Sequence, residues 1–407
     1  MGAKVRYVNG GALTSALLCL LLLIAAHAAQ AQTETVLYNF TGNPDGSESG
    51  ARLTPDGNGN FYGTTGAGGT AGYGTVFEIS PNGENWTETV LYSFCPVPGC
   101  LDGKYPFVSY VLLDQAGNLY GTAQEGGSNN CGVVFELSRS SGHWIETVLH
   151  NFAGGVDGCY PVPGLIMDQG GNLYGTTETA NSNLNGVGTV FELSPSGGGW
   201  TEKVIYSGYE FANAGLTVDS AGNIFGLGLT LKPYNWVVFE LLPNGNGGWS
   251  SSVLHTFARG FYPYGTLALD PAGNLYGTTV AEGAHNGGTV YRLTPEENGQ
   301  WKEKVLYSFD SQNGGGYAPY AGVVLDSAGN VYGTTRNGGM NGVGTVFELV
   351  APFGKTKTYQ EKTLWNFNET NGATPDDSLI LDGAGSLYGT TQAGGVGGSG
   401  VVFEVTP

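Results

Sequence analysis

The chain has 407 residues, 71 of them glycine, with 34 acidic against 15 basic side chains and a formal net charge of −19. A surface this acidic repels nucleic acid and anionic membranes, so neither is an expected partner, and so few cations leave little to hold a phosphorylated ligand. No apolar stretch reaches the roughly twenty residues that span a bilayer, which excludes a membrane span by helix.

The amino-terminal segment carries Lys4 and Arg6, then an apolar run over residues 12–26, then Ala29-Gln30-Ala31. This is the pattern of a secretory signal peptide over residues 1–31, cleaved near Ala31, and it predicts a secreted or periplasmic protein. Leu18 precedes Cys19 where a lipoprotein signal places a small residue, so lipid attachment is not expected. Four cysteines remain, Cys95, Cys100, Cys131 and Cys159. An even number in an exported chain points to disulfides. Cys95 and Cys100 bracket a Pro-Val-Pro-Gly turn, whereas Cys131 opens the third strand of its unit and Cys159 follows the fourth, so the expected pairs are 95 with 100 and 131 with 159.

A Tyr/Phe-Gly element recurs at Tyr62, Tyr120, Tyr174, Phe225, Tyr276, Tyr332 and Tyr388, at spacings between 51 and 58 residues. Around each copy the same order returns, as in the sixth: AGVVLD, SAGN, VYGTT, a Gly-rich stretch, TVFEL, a turn and KTLWNF. Each segment is short, rich in β-branched and aromatic residues and bounded by Gly, Pro, Asn or Asp, which is strand composition. The third unit illustrates the expected strands at residues 164–168, 173–177, 189–193 and 203–207. The prediction is an all-β, seven-bladed propeller of four-stranded antiparallel blades, in one domain over residues 32–407.

The link between first and second strands reads DQAGN, DQGGN, DSAGN, DPAGN and DSAGN in successive units. Turn geometry accounts for these letters, since Asp bonds to its own turn and Gly and Asn tolerate positive φ. A structural calcium at these aspartates is the alternative, though each turn offers one recurring carboxylate where calcium wants several oxygens. No other cofactor is expected. Small residues at Gly164, Gly215, Gly265, Gly322 and Ser378 open the first strands, where seven inner strands converge. The segment TVLYNF near the start is a fourth strand with no unit before it, and the chain stops on a third strand with none after it. Residues about 33–40 should therefore pair with about 401–406 and close the ring, leaving no exposed sheet edge.

The unit GNLYGTT, GG, GTVFEL, a Trp and TVLYSF resembles the GloVer-type tandem repeat of exported bacterial proteins, over residues 33–407. Its D-x-x-G-N-L-Y portion is also similar to NHL-type and sensor-regulator propeller repeats. The resemblance implies an exported protein, commonly with one of several carboxy-terminal anchors, and implies no reaction and no catalytic residues. Here the last strand ends the chain, which leads to an expectation of release rather than surface attachment.

Binding residues belong on the face carrying the longer loops, those between fourth and first strands and between second and third. Candidate rim residues there are Gln124, Glu125, Glu178, Glu282, His285, Arg336 and Gln392. The fourth unit departs most from the repeat and adds Lys232, Tyr234 and Trp236, an aromatic pair with a cation suited to a sugar ring or a peptide side chain; drift, with Trp236 filling space that other blades close with glycine, is the competing reading. His150 and His255 fall at packed strand positions, and Glu192 is expected to face Lys203 across two strands. The functional expectation is a secreted, monomeric, noncatalytic propeller binding a glycan or an extracellular protein. The alternatives are a polysaccharide hydrolase or lyase using carboxylates such as Glu125 and Glu178, and a structural surface or matrix protein.

Overall fold

The computed structural model describes residues 32–106, 110–162, 164–179, 187–210 and 214–406. The expected signal peptide lies outside the described residues. The described residues form seven antiparallel blades of a β-propeller. One blade, for example, runs Val324–Leu325, Val331–Thr335, Thr345–Val350 and Gln360–Asn366, from the innermost strand outward. Thr33–Asn39 pairs antiparallel with Val401–Thr406, from Thr33 opposite Thr406 to Asn39 opposite Val401, so both ends of the chain complete the seventh blade as expected. Innermost strands are shorter than the sequence suggested. In the third blade Ile166–Met167 and Cys159–Pro161 pair separately with Leu173–Thr179, because Gly164, at φ +85°, turns the backbone between them.

The recurring glycine of Tyr-Gly has a packing cause. In register it sits opposite the aromatic residue of the third strand, as Gly63 opposite Phe77 and Gly333 opposite Phe347. A Cβ added at Gly63, Gly121, Gly175, Gly226, Gly277, Gly333 or Gly389 would lie within 2.7 Å of that ring. None of the seven has a left-handed φ, so the ring, and not the turn, requires glycine. The rings themselves, Phe77, Phe135, Phe191, Phe239, Tyr291, Phe347 and Phe403, are fully buried. Each meets an aromatic side chain delivered by the end of the preceding blade: Phe40 on Phe77, Phe94 on Phe135, Phe152 on Phe191, Tyr209 on Phe239, Phe257 on Tyr291, Phe309 on Phe347 and Phe367 on Phe403. Their centroids are 5.0 to 5.4 Å apart. Blade-to-blade cohesion is thus a closed cycle of aromatic pairs, each worth about 0.5–1.5 kcal/mol beyond its area.

The hairpin aspartates serve the turn. Asp326 Oδ1 accepts the Ala328 and Asn330 amides at 2.9 Å, and Oδ2 accepts the Asn330 side chain at 2.8 Å and the Tyr332 hydroxyl at 3.1 Å. The same Tyr332 hydroxyl lies 3.3 Å from Glu348, which links the motif Asp-x-x-Gly-Asn-x-Tyr to the Glu of the third strand. Glu192 does face Lys203 in register, but Glu192 accepts from Tyr174 at 3.4 Å and Lys203 reaches the Gly247 carbonyl of the next blade. Burial pulls the Asp168 carboxyl upward, yet hydrogen bonds from Asn172, Tyr174 and Gly170 outweigh it and hold it below the usual range. Both disulfides join the expected partners, with Cα separations of 4.3 Å for Cys95–Cys100 and 4.6 Å for Cys131–Cys159. Among the described residues no helix is long and apolar enough to cross a membrane.

Gly333→Ala is expected to destabilise the fold by about 1–3 kcal/mol, as overpacking does. Gly315→Ala, which meets nothing within 4 Å, should change it by less than about 0.5 kcal/mol. Equilibrium denaturation of the two variants checks the contrast.

A second expectation concerns pH. Outer-strand Glu34, Glu88 and Glu146 are half-buried and each leaves a buried oxygen without a partner. Burial pushes all three up to about 7, with Asp45 beside Glu88 and Asp102 beside Glu146 raising those two further. A carboxyl that binds its proton more tightly folded than unfolded favours the fold as pH falls from about 7 toward 4.5. The melting temperature should therefore be higher near pH 5 than near pH 8, as read by thermal unfolding. Glu88→Gln should flatten that dependence, and an unchanged slope in the variant would refute the assignment.

Candidate functional site

Two repeat positions bring unlike residues to the inner ends of the blades. Four residues before the hairpin Asp, most blades carry a small side chain, Gly164, Gly215, Gly322 or Ser378, but the first carries Arg52 and the second Tyr110. Six residues before it stand Tyr264, Tyr320 and Asp376 in three successive blades, followed in the last by Asp377. The small residues are required by crowding. A Cβ on Gly322 would overlap the Thr266 carbonyl of the preceding blade, and one on Gly164 would enter the Tyr110 ring.

These positions join into one arc across consecutive blades. The Arg52 guanidinium lies over Tyr110 at 5.7 Å, while its backbone amide donates to Asp377 Oδ2 at 2.7 Å. Asp377 Oδ1 accepts the Ser378 amide at 2.6 Å. Asp376 pairs with the Arg336 Nε at 3.5 Å, and Arg336 lies 4.8 Å over the Tyr320 ring. Tyr320 stacks on Tyr264 at 5.3 Å, and Tyr264 meets Trp236 at 5.9 Å. Burial pushes Asp376 up to about 6, opposed by Arg336, and Asp377 up to about 7, where the Ser378 and Arg52 amides and the Arg52 charge oppose it. Both residues are partly buried, and the Asp376 side chain is only 12% exposed.

Next to the arc, between the fourth and fifth blades, is a cleft of about 370 Å³ lined by Tyr234, Trp236, Arg259, Phe261, Tyr262 and Tyr264, among others. Its origin is legible in the repeat. Trp236 occupies the position of Gly74, Gly132, Gly288, Gly344 and Gly400. In four of the five, Gly400 excepted, a proline of the next blade packs close to that glycine; three are Pro106, Pro161 and Pro319. With Trp236 there, the innermost strand of the fifth blade lengthens to Pro263–Leu269 and bulges between Tyr264 and Ala268. Tyr234 is 65% exposed and Tyr262 47%, whereas Trp236 is buried to 8% and forms the floor.

The residues expected to form the rim are distributed unevenly. Arg336 and Trp236 fall on the arc and Tyr234 on the cleft wall. Lys232 is exposed on the same loop but does not line the cleft. Glu125 is held at 2.9 Å by Lys104, whose ammonium also lies over Tyr105 at 5.5 Å, and the Glu125 hydrogen bond keeps Lys104 above its ordinary range despite burial. Gln124 and Gln392 are half-buried just beyond their second strands, with their backbone amides bound to the Tyr105 and Thr374 carbonyls, whereas Glu178 is half-buried within its own, Leu173–Thr179. The Glu282 side chain lies against Gly260, and His285 is exposed on its loop. Sequence reasoning missed Arg52, Tyr110, Tyr264, Tyr320, Asp376 and Asp377. Counting back from each hairpin Asp would have found them: Arg52, Tyr110 and Asp377 stand where the repeat is small, and Tyr264, Tyr320 and Asp376 share one position of three successive blades. His150 and His255 are packed against Phe152 and Phe257, with Asp157 at 3.0 Å from His150. Among the described residues no group of three His, Cys, Asp or Glu side chains is placed to hold a metal ion.

No curated protein sequence matches the chain. Among solved structures, an ulvan lyase of a polysaccharide lyase family, bound to -[GlcA(1-4)Rha3S]-, superposes with a TM-score of 0.52 at 11% identity, covering 91% of this chain and 95% of that one. A putative 6-phosphogluconolactonase from Bacteroides uniformis gives 0.50 at 14% identity, covering 84% and 98%. At such identities the likeness is one of fold. The model of the Gloeobacter/Verrucomicrobia repeat matches residues 26–235 and again 211–407, and with nearly the whole chain so covered, the protein belongs to that repeat family.

Proposed function

We propose that the protein is an exported, noncatalytic propeller that binds a glycan on its loop-rich face, in the aromatic cleft between the fourth and fifth blades. The observation that carries this reading is the pairing of the exposed Tyr234 and Tyr262 rings with the buried Trp236 floor around a cleft of about 370 Å³. Sugar rings present apolar C–H faces and a polar rim of hydroxyls. Amphipathic aromatic side chains match the faces, and a few fixed polar groups set orientation. Arg259 at the cleft and Arg336 with Asp376 on the adjoining arc supply charge-assisted hydrogen-bonding groups for the rim. Export is supported by the two disulfides, which belong to an oxidising compartment.

A second reading, a polysaccharide hydrolase or lyase, draws on Asp376 and Asp377, two adjacent carboxyls poised near neutrality. Glycan-array screening followed by calorimetry on the bound polymer separates the readings. Saturable binding with no new reducing or unsaturated ends, and a loss of about tenfold, some 1.4 kcal/mol, on Tyr262→Ala or Tyr234→Ala, is the expected result. Product formation would transfer the assignment to the second reading, and binding indifferent to both substitutions would remove the cleft from it.

A further inference from the structure

On the opposite face, where the hairpin turns lie, a cavity of about 940 Å³ opens among the innermost strands of the fifth, sixth and seventh blades and Arg52 of the first. Its wall includes the half-buried apolar side chains Leu269, Val324, Leu325 and Leu381. The carboxylates around it are already engaged. Asp326 is bound by its own turn as described above. Asp382 accepts the Ala384 and Ser386 amides at 2.9 and 2.8 Å and the Tyr388 hydroxyl at 3.3 Å. Asp377 gives both oxygens to backbone amides, of Ser378 and Arg52.

The cation is not engaged in the same way. Among the described residues no carboxylate lies within ion-pair distance of the Arg52 guanidinium, and its contact is the Tyr110 ring at 5.7 Å. An arginine presents five donors and no acceptor, so what it lacks is an acceptor, best an anionic one. Its place in the repeat makes it a departure rather than a scaffold requirement, since the equivalent positions hold Gly164, Gly215, Thr266, Gly322 and Ser378. Of those positions Thr266 and Ser378 line the cavity together with Arg52.

We infer that this cavity is a second binding site, independent of the glycan cleft, for a small molecule with an apolar body and one anionic head, the head seated on Arg52 and the body against Leu325 and Leu381. The carboxylates at the wall are occupied and the Arg52 donors are available, which favours an anionic head over a cationic one. The apolar wall in turn excludes a bare inorganic anion as the preferred occupant.

The test uses two fluorescent probes that share an aromatic body, anionic 8-anilinonaphthalene-1-sulfonate and neutral N-phenyl-1-naphthylamine, titrated into the full protein. Expected are saturable binding of the sulfonate, a weakening of at least about tenfold in Arg52→Met with the neutral probe unaffected, and partial recovery in Arg52→Lys. Leu381→Glu, which leaves Arg52 in place, should weaken the sulfonate as well, and decides the matter if the Arg52 variants fail to fold. The inference is overturned if the wild-type protein shows no saturable sulfonate binding, if Arg52→Met binds it as tightly as wild type, or if Tyr234→Ala on the other face removes the binding instead.

Discussion

Seven glycines pressed beneath seven aromatic rings set the terms for the rest of the molecule. Because Gly63, Gly121, Gly175, Gly226, Gly277, Gly333 and Gly389 have no Cβ, the tip of the facing ring fits against the second strand and is buried there. That fit lets the ring take an aromatic partner from the neighbouring blade at its other edge. The contact repeats until it returns to its start, edge-to-face in six places and stacked where Tyr209 meets Phe239. The last contact, Phe40 on Phe77, depends on the amino-terminal strand being clamped to Val401–Thr406. Closure of the sheet and closure of the aromatic cycle are one event.

A second regularity follows from how the recurring polar residues are used. The hairpin Asp satisfies two amides, the Asn side chain and the Tyr hydroxyl, and the third-strand Glu meets that hydroxyl from the other side, as in Asp326, Tyr332 and Glu348. The second Thr of Tyr-Gly-Thr-Thr bonds at 2.8 Å to the first residue of Thr-Val-Phe, as Thr65 with Thr75 and Thr335 with Thr345. Where the second blade loses one hydroxyl it loses both, with Ala123 opposite Val133. Buried hydroxyls cost least when present or missing together. An acidic, polar-rich repeat can thus have few acceptors to offer a ligand, because its own turns and ladders occupy them.

This division explains what was legible in the sequence. Seven copies in one register make strand order, blade number and ring closure visible, because each copy corroborates the others. Disulfide pairing was visible because both pairs join segments whose places in the blade the repeat already specified. The candidate site was harder to see. Arg52 and Asp377 stand 325 residues apart in sequence and touch because the first and last blades are neighbours. Tyr264 and Tyr320 look like ordinary loop aromatics until they are counted to the same position of adjacent blades. The expected rim included Gln124, Glu178 and Gln392 because they follow the expected second strand, but that position repeats around the whole ring, and a shared position does not bring side chains together. Trp236 was conspicuous as a departure, and its burial makes it the base of a cleft whose exposed wall is Tyr234 and Tyr262.

The two faces then differ for a reason rooted in blade geometry. On the loop-rich face the chain can change length, and one large residue at a glycine position, Trp236, becomes the floor of an aromatic cleft between two blades. On the hairpin face the turns are five-residue copies held by their Asp, so length cannot vary, and novelty enters by replacing small inner residues one at a time. Arg52 is such a replacement, and its charge stands beside the carboxylate of Asp377, which burial has already brought to the edge of neutrality. A guanidinium beside an acid so easily protonated keeps more of its field than one locked in an ion pair. In a chain whose net charge is −19, that is the physical condition under which a single cation can still attract an anion.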